Sequence, residues 1–357
     1  MSAPSSMTTR RLDLEVPRHL VADAPIEASG GRRDDVRMLV AHRGTGELVH
    51  TRAGLLARVL EAGDVLVVNT SPTLPAAVPS ADGRLLLHLS TELGDGRWVV
   101  ELRQPLGAGS APHRSARRIT IDLAGGAVAD LEVPHRPSDE RGARLWVARL
   151  TTPLPFATWL AREGRPIRYG STDQRWPIDA YQTFFAGHPP GDEGMGSAEM
   201  PSAARFITPE VVSDLIGAGV DLVPITLHTG VSSLEAGEPP YAERYVVSPS
   251  SARRINDARA AGARIIAVGT TATRAVETDA RAGRACPGEG WTELVITPER
   301  GLEVVDGIIS GWHEPEASHL LLMEAVAGRP LLEASYRAAV AGGYRWHQFG
   351  DVHLVLP

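Results

Sequence analysis

The pattern of hydrophobic and polar positions changes character along this chain. From residue 180 onward, short apolar runs of strand length alternate with helical patterns, which is typical of an α/β core. Residues 75–150 instead hold short alternating runs separated by Gly, Pro and charged turns, which is typical of a small antiparallel barrel or sandwich. We therefore predict a discontinuous α/β domain, residues 1–74 and 151–357, with an antiparallel β-barrel domain inserted at residues 75–150.

Each segment of the pattern predicts a particular element. In the α/β core, the predicted strands span residues 64–68, 221–227, 264–268, 294–296 and 304–309. The predicted helices span residues 53–61, 209–217, 250–262, 272–280, 318–327 and 330–341. In the insert, the predicted strands span residues 84–90, 97–102, 119–123, 127–133 and 144–150.

The stretch 268–278, VGTTATRAVET, predicts a strand that turns directly into a helix. Gly269 ends the apolar run, and the hydroxyls of Thr270 and Thr271 stand where the helix begins. A helix N-terminus offers unpaired N–H groups and a positive dipole end, which suit a carboxylate, a phosphate or a ribose hydroxyl. The alternative interpretation is an ordinary strand-to-helix turn without a ligand.

The composition of the chain limits where the protein can reside and which cofactors it can hold. No apolar run approaches the roughly 20 residues that cross a bilayer, and the N-terminal residues lack the apolar segment of a secretory signal. Cys286 is the only cysteine, so the chain forms no internal disulfide and has no cysteine cluster for a metal. We expect a cytoplasmic protein with no membrane partner and no metal, and its oligomeric state stays open.

All of the 36 basic residues counted as Lys and Arg are arginine. Without lysine there is no side-chain Schiff base, no lysine-linked pyridoxal cofactor and no P-loop phosphotransferase. The net charge of −7 is unlike that of a dedicated nucleic-acid binder, but residues 97–175 hold thirteen arginines and eight acidic residues. This local excess indicates either an RNA-binding surface, with Arg114, Arg117 and Arg118 as contacts, or a solvated arginine-rich face.

Several motifs resemble one known family, in the same order along the chain. They are RRDDVRMLV (32–40), GDVLVVN (63–69), DAYQTFFA (179–186), ITLHTG (225–230), VGTTATRAVET (268–278) and YRWHQFGD (344–351). Together they resemble the S-adenosylmethionine:tRNA ribosyltransferase-isomerases of queuosine biosynthesis, from about residue 12 to residue 356. The resemblance implies the same α/β fold with an inserted barrel.

The resemblance also implies a reaction. The ribosyl part of S-adenosylmethionine, a co-substrate, moves to a 7-aminomethyl-7-deazaguanine base of tRNA, and adenine and methionine leave. Two alternatives stay open. The first is the same use of S-adenosylmethionine with an acceptor other than tRNA. The second is a non-catalytic RNA- or nucleotide-binding protein on the same scaffold.

Such a reaction needs a general base, an acid near adenine and anchors for the methionine end. His228, which follows an apolar strand, and His313, between a strand and a helix, are the candidate catalytic residues. Each has a structural alternative as a hydrogen-bonded histidine. We expect both histidines to share one cofactor pocket with Thr270, Thr271 and Arg274.

The candidate anchors for S-adenosylmethionine are side chains that bind charged or hydroxyl groups. Arg274 suits a carboxylate, unless it pairs with Glu277 on its own helix. Glu243 suits an ammonium or ribose hydroxyls, with a surface carboxylate as the alternative. Ser197 lies in a small-residue loop, GSAEMPSAARFIT, that lets a ligand approach the backbone closely.

Three residues are candidates for contact with the acceptor base. Tyr181 and Gln182 place an aromatic ring beside an amide, which suits stacking on a base and reading its edge. Asn69 follows a predicted strand and begins a polar turn. The neighbouring Phe184 and Phe185 are expected in the core.

The chain also departs from the pattern of the resembled family. Asn69-Thr70-Ser71-Pro72 stands where the family usually has Asn-Asp-Thr-Arg, so an acid and an arginine are missing. Phe206 replaces a histidine, residues 232–234 replace Gly-Thr-Phe, and Gly311 replaces an asparagine. These departures motivate the hypothesis of a different acceptor.

Overall fold

Two β-sheets organise the protein. The computed structural model describes residues 11–106, 109–115, 117–135, 142–168, 174–187, 195–231, 241–315 and 319–357. One sheet has nine strands and the other has seven among these residues. The inserted β-barrel and the α/β architecture predicted from the sequence are both confirmed.

The nine-stranded sheet takes strands from both ends of the chain. They are β1 (Arg37–His42), β2 (Leu48–Arg52), β3 (Val65–Asn69), β11 (Asp221–Leu227), β12 (Glu243–Val247), β13 (Ile265–Val268), β14 (Gly288–Thr292), β15 (Gly307–Gly311) and β16 (Val352–Leu356). Their order is β14-β12-β11-β3-β13-β15-β16-β1-β2. The central β3 and β13 are buried along their whole length and pair in parallel, as continuous apolar runs predict. The α/β domain is therefore discontinuous in sequence.

The inserted sheet closes into a barrel. Its strands are β4 (Ala77–Pro79), β5 (Leu86–Gly94), β6 (Arg97–Leu106), β7 (Gly109–Pro112), β8 (Thr120–Leu123), β9 (Ala127–Pro134) and β10 (Leu145–Thr151). The order β4-β5-β6-β10-β9-β8 closes because Ser80, just after β4, bridges Leu123 at the end of β8. Side chains such as Val100, Leu102 and Trp146 fill the interior. We propose that the domain limits lie near residues 75 and 150.

Five helices cover the nine-stranded sheet, and a sixth packs on the barrel. The five are α2 (Pro209–Gly217), α3 (Pro249–Ala260), α4 (Gly269–Thr278), α5 (His319–Ala327) and α6 (Arg329–Ala341). The helix on the barrel is α1 (Phe156–Glu163), whose Trp159 and Leu160 lie in the barrel core. Short 3-10 turns lie at Arg18–Leu20, Ile26–Ser29, Arg33–Asp35, Ala53–Arg58, Ala124–Gly126, Ile178–Tyr181 and Ser202–Ala204. Residue 318, the predicted start of α5, lies outside the described residues. No helix in the described ranges has the length and apolar character to cross a membrane.

Several predicted boundaries are wrong. Residues 294–296 form no strand, because the Leu294 carbonyl accepts from Arg274 rather than from a neighbouring strand. The strand predicted at 304–309 begins only at Gly307. Helix α4 begins three residues before the predicted start, at Gly269, whose φ of 93° turns the chain directly out of β13.

Candidate active site at the carboxyl ends of the parallel strands

Asn69 joins three elements at the carboxyl end of β3. Its amide donates to the Leu227 carbonyl (2.8 Å) and to the Thr271 hydroxyl (3.3 Å), and its side-chain oxygen accepts from the Leu227 N–H (3.0 Å). Asn69 is fully buried and ties β3 to β11 and α4. A contact between Asn69 and the acceptor stays a prediction.

A first cavity opens beside the start of α4. It is lined by Glu199, Thr229, Gly230, Val231, Tyr241, Glu243, Thr270, Thr271, Arg274, Leu294, Val295, Ile296, His319 and Leu322. Val268, the N-cap residue of α4, makes no side-chain cap hydrogen bond, and Thr270 and Thr271 in the first turn of the helix line this cavity. Four of the predicted anchors therefore lie together: Thr270, Thr271, Arg274 and Glu243.

Arg274 and Glu243 form an ion pair at the wall of this first cavity. Arg274 Nη1 donates to Glu243 Oε2, while Nε and Nη2 donate to the carbonyls of Leu294 (3.0 Å) and Thr292 (3.3 Å). Glu243 Oε1 also accepts from the Gly230 N–H at 3.1 Å. Both side chains are about nine-tenths buried, so the pair is fixed by its surroundings.

Glu277 is not the partner of Arg274, and the alternative of a pair within the helix is wrong. Its fully buried carboxylate accepts from the N–H groups of Glu303 (2.8 Å), Val304 (2.8 Å) and Val305 (3.0 Å). Three backbone donors satisfy this carboxylate at the turn before β15. Arg274 consequently extends across the cavity to β12.

His228, in the turn after β11, faces a second cavity. This second cavity is lined by Ser90, Thr91, Glu92, Leu93, Gly94, Met195, Gly196, His228, Arg244 and Trp291. The Ser71 hydroxyl lies 2.7 Å from His228 Nδ1 and 2.7 Å from the Ser197 hydroxyl. Ser197 is buried and accepts from the Thr229 N–H at 3.0 Å. Ser71 and Ser197 thus hold the turn and the ring, and Ser197 does not line either cavity.

His313 lines neither cavity but lies behind His319, which does line the first. The two imidazole rings stack with centroids 4.5 Å apart and planes 2° apart, and His313 Nε2 lies 3.0 Å from the Ser310 hydroxyl. Burial is the main cause that lowers the pKa of His313 well below its ordinary value, with smaller effects from His319 and His347. Burial and the charge of Arg274 lower the pKa of His319 to about 4. Both rings are therefore neutral near neutral pH.

The expected single pocket is thus divided into two. Residues 228 and 229 point to different cavities, as do residues 243 and 244, because successive side chains of an extended strand face opposite sides. The two cavities adjoin at the turn that follows β11.

Tyr181 and Gln182 hold the scaffold in place. Tyr181 is buried and packs on Phe349 with centroids 5.2 Å apart, so it is not placed to stack on a base. The Gln182 amide exchanges two hydrogen bonds with the Thr73 backbone, at 2.9 and 2.8 Å. Of the two phenylalanines expected in the core, Phe185 packs there, but Phe184 is 50% exposed.

The departures from the resembled family have different structural consequences. Ser71 gains a role, since it contacts His228, and Phe206 is buried in the core. Trp312, beside Gly311, stacks on His353 with centroids 4.7 Å apart. Residues 232–234 lie outside the described part of the chain.

Some residues that line the cavities are not among those predicted from the sequence. Glu199, Tyr241 and His319 line the first, and Glu92, Arg244 and Trp291 line the second. The sequence holds one signal for His319, which begins the mostly apolar helix HLLLMEAVA. No cluster of three metal-binding side chains is found in the ranges that the structure describes.

The fold and the two cavities define a class of protein. It is an α/β protein with an inserted β-barrel, whose cavities lie at the carboxyl ends of parallel strands, where such folds bind small molecules. The sequence model for a queuosine biosynthesis protein matches residues 9–355, so this chain belongs to the queuosine biosynthesis protein family.

Known proteins and a solved structure are similar to this chain over nearly its whole length. S-adenosylmethionine:tRNA ribosyltransferase-isomerase from Heliobacterium modesticaldum is 31% identical, with 96% of this chain and 98% of the relative covered. The enzyme of that name from Acidithiobacillus ferrooxidans is 33% identical, with 96% of each covered. The crystal structure of S-adenosylmethionine tRNA ribosyltransferase from Thermotoga maritima matches with a TM-score of 0.54 and 26% identity. That match covers 97% of this chain and 99% of the solved one.

Proposed function

We propose that this protein transfers the ribosyl-derived unit of S-adenosylmethionine to the aminomethyl group of a 7-aminomethyl-7-deazaguanine base in tRNA, and isomerises it. The observation that carries this proposal is the full-length match to relatives named for that activity, at 31–33% identity. The proposal makes S-adenosylmethionine and tRNA substrates of a queuosine-type modification enzyme. It places the enzyme in the cytoplasm.

The first cavity is the proposed site for S-adenosylmethionine. The free N–H groups at the start of α4, beside Thr270 and Thr271, suit the methionine carboxylate. Glu199 and Glu243 offer negative charge to the ammonium and the sulfonium. Leu294 and other apolar side chains of the lining suit the apolar parts of the substrate.

The proposed chemistry starts with a base at the boundary of the two cavities. The sulfonium acidifies the C5′ hydrogens, and His228, held by Ser71, takes one of them as a proton. The glycosidic bond to adenine breaks and adenine leaves with a proton. The acceptor amine bonds to the ribosyl carbon and gives up a proton, and the bond between C5′ and sulfur breaks, so that methionine departs as the epoxide forms. The neutral His313–His319 pair lies beside the first cavity and is the proposed source of polar contacts near adenine.

Mass spectrometry of the products tests this proposal. The protein is incubated with S-adenosylmethionine and tRNA that carries the aminomethyl base. Release of adenine and methionine in equal amounts is expected. Release of S-adenosylhomocysteine instead means methyl transfer and contradicts the proposal. Measurable binding of S-adenosylmethionine without any turnover supports the non-catalytic binding protein.

A second candidate function keeps this chemistry but uses a small-molecule amine as the acceptor. Two observations favour it. The turn after β3 carries Thr70-Ser71-Pro72 without an acid or arginine, and two barrel arginines are not on the surface. Arg103 and Arg144 donate to the fully buried Glu101 at 2.9 and 3.0 Å. Adenine release with free amines but never with tRNA distinguishes this function from the first.

A further inference from the structure

The second cavity lies where the barrel meets the α/β sheet. Glu92 comes from β5 of the barrel, whereas Arg244 and Trp291 come from the edge strands β12 and β14. His228, directly after β11, lines this second cavity, whereas the next residue, Thr229, lines the first. The site proposed for S-adenosylmethionine does not need Glu92, Arg244 or Trp291. Their position around one cavity therefore indicates a second ligand.

Trp291 and Arg244 form one face of this second cavity. They are directly opposite each other in the antiparallel pairing of β12 and β14, so their side chains are neighbours on the same face. The Arg244 carbonyl also accepts from the His228 N–H at 2.9 Å, which fixes this face beside the histidine. Trp291 is 46% exposed, which is unusual for so large an apolar ring. An exposed indole in a cavity is a surface on which a flat aromatic ligand stacks.

Glu92 gives the same cavity a carboxylate. Its Oε2 accepts from the Met195 N–H at 3.2 Å, so the side chain is oriented toward the segment that carries Gly196. A carboxylate at the wall of a partly enclosed cavity favours a cationic ligand group, and a charge-assisted hydrogen bond to an ammonium is stronger than one to a neutral group. The cavity thus combines an indole and a guanidinium on one face with the Glu92 carboxylate from the barrel, and an aromatic ring that carries an amine fits it when the ring lies on Trp291 and the amine on Glu92.

We propose that the second cavity binds the acceptor as a flat heteroaromatic base with a cationic aminomethyl substituent, stacked on Trp291 with its ammonium on Glu92. This inference rests on the proposed function, because a two-substrate transfer needs the acceptor amine next to the ribosyl donor. The two cavities share the turn after β11, where His228 lines the second cavity and Thr229 and Gly230 line the first. The base can come from tRNA or from a free small molecule, and the same contacts serve both.

Calorimetric titration tests the acceptor site without any need for turnover. The probes are free 7-aminomethyl-7-deazaguanine, its uncharged 7-methyl analogue and tRNA bearing the aminomethyl base. Trp291→Ala is expected to weaken binding of both free bases at least tenfold. Glu92→Gln is expected to weaken the amine at least fivefold while the 7-methyl analogue binds as before. Neither variant changes the affinity for S-adenosylmethionine by more than twofold.

Two matched variants serve as controls. Phe184→Ala removes another exposed aromatic ring, and Glu47→Gln neutralises an exposed carboxylate in the turn after β1; neither lines a cavity. Both are expected to bind every probe as the unaltered protein does. If Trp291→Ala binds the free base and the tRNA as tightly as Phe184→Ala does, the acceptor site is elsewhere.

The same experiments distinguish a tRNA base from a free base as the acceptor, and they test the acceptor site separately from the proposed function. Trp291-dependent binding of the modified tRNA means that the acceptor is a tRNA base, and Trp291-dependent binding of the free base alone means a small-molecule acceptor. Both outcomes support the site. Absence of adenine release with every acceptor overturns the proposed function even where binding persists. If no probe binds the unaltered protein, the acceptor site itself is refuted.

Discussion

Arg274 pairs with Glu243 on β12 and not with Glu277, three residues along its own helix. The Glu277 carboxylate instead accepts from three backbone N–H groups and pairs with Arg300 at 3.4 Å. The long-range pair instead fixes helix α4 against the edge strand β12. It also places one positive and one negative group at the wall of the cavity proposed for S-adenosylmethionine.

Glu243→Gln tests the importance of this ion pair. The substitution leaves the nine-tenths buried Arg274 without a counter-ion, and we expect the protein to lose about 1–3 kcal/mol of stability. Affinity for S-adenosylmethionine should fall about tenfold, because the carboxylate near the ammonium is gone. Urea unfolding and calorimetric titration measure the two effects. Glu333→Gln, in a partly exposed i,i+4 pair of α6, should lose less than about 1 kcal/mol and keep its affinity.

Ser71→Ala tests whether the orientation of His228 matters for catalysis. The hydroxyl contacts both His228 Nδ1 and the Ser197 hydroxyl, so its loss removes a contact that orients the ring. We expect kcat to fall about tenfold while the Kd of S-adenosylmethionine stays constant. Ser29→Ala, at an exposed turn, should leave both unchanged. An unaltered kcat in Ser71→Ala would show that this contact is structural only.

The burial of His353 leads us to expect that the protein loses stability in acid. Burial lowers its pKa from 6.5 to about 3, and neither ring nitrogen has a hydrogen-bond partner in the described residues. Below pH 6.5 the unfolded state therefore binds a proton that the folded state does not. Stability then falls by about 1.4 kcal/mol per pH unit for this one group, down to about pH 3.

His353→Phe keeps an aromatic ring on Trp312 but removes the titrating group. Urea unfolding between neutral pH and moderately acid pH should therefore show a pH slope shallower by about one proton. Equal slopes for the variant and the unaltered protein would mean that His353 does not titrate on unfolding.

Reversal of charge at Arg117 and Arg118 tests the tRNA surface. Both side chains are exposed, whereas Arg114 is partly buried and donates to the Gly142 carbonyl at 3.1 Å. The double variant Arg117→Glu/Arg118→Glu should weaken tRNA binding and reduce its salt dependence, because phosphate contacts are lost. Affinity for S-adenosylmethionine should not change. Arg18→Glu, another exposed arginine, is the control; an equal loss there would indicate a general charge effect.

The architecture can be predicted from the sequence more fully than the contacts between side chains can. The barrel is predictable because alternating runs reveal half-buried strands, and α4 because an apolar run precedes its threonines. The edge strands β12 and β14 have the sequences ERYVV and GEGWT, and neither carries a strong apolar pattern. Only their pairing in the structure identifies them as strands, and both cavities take part of their walls from these two strands.

The candidate site depends on contacts between residues far apart in the chain. Ser71 and His228 are 157 positions apart, and a single sequence does not show which distant side chains meet. The division into two cavities has the same origin. It follows from which of two successive residues, such as Glu243 and Arg244, faces each side of the sheet, and this depends on the register of β12 with β14.

Isotope transfer from S-adenosylmethionine tests the central claim most directly. The protein is incubated with tRNA bearing 7-aminomethyl-7-deazaguanine and with S-adenosylmethionine labelled either in the ribose or in the methyl group, and the tRNA nucleosides are analysed by mass spectrometry. The account predicts that ribose label appears in the modified base, one unit for each adenine released, and that methyl label does not. Methyl label in the tRNA, or adenine release with no ribose label in any acceptor, would contradict it.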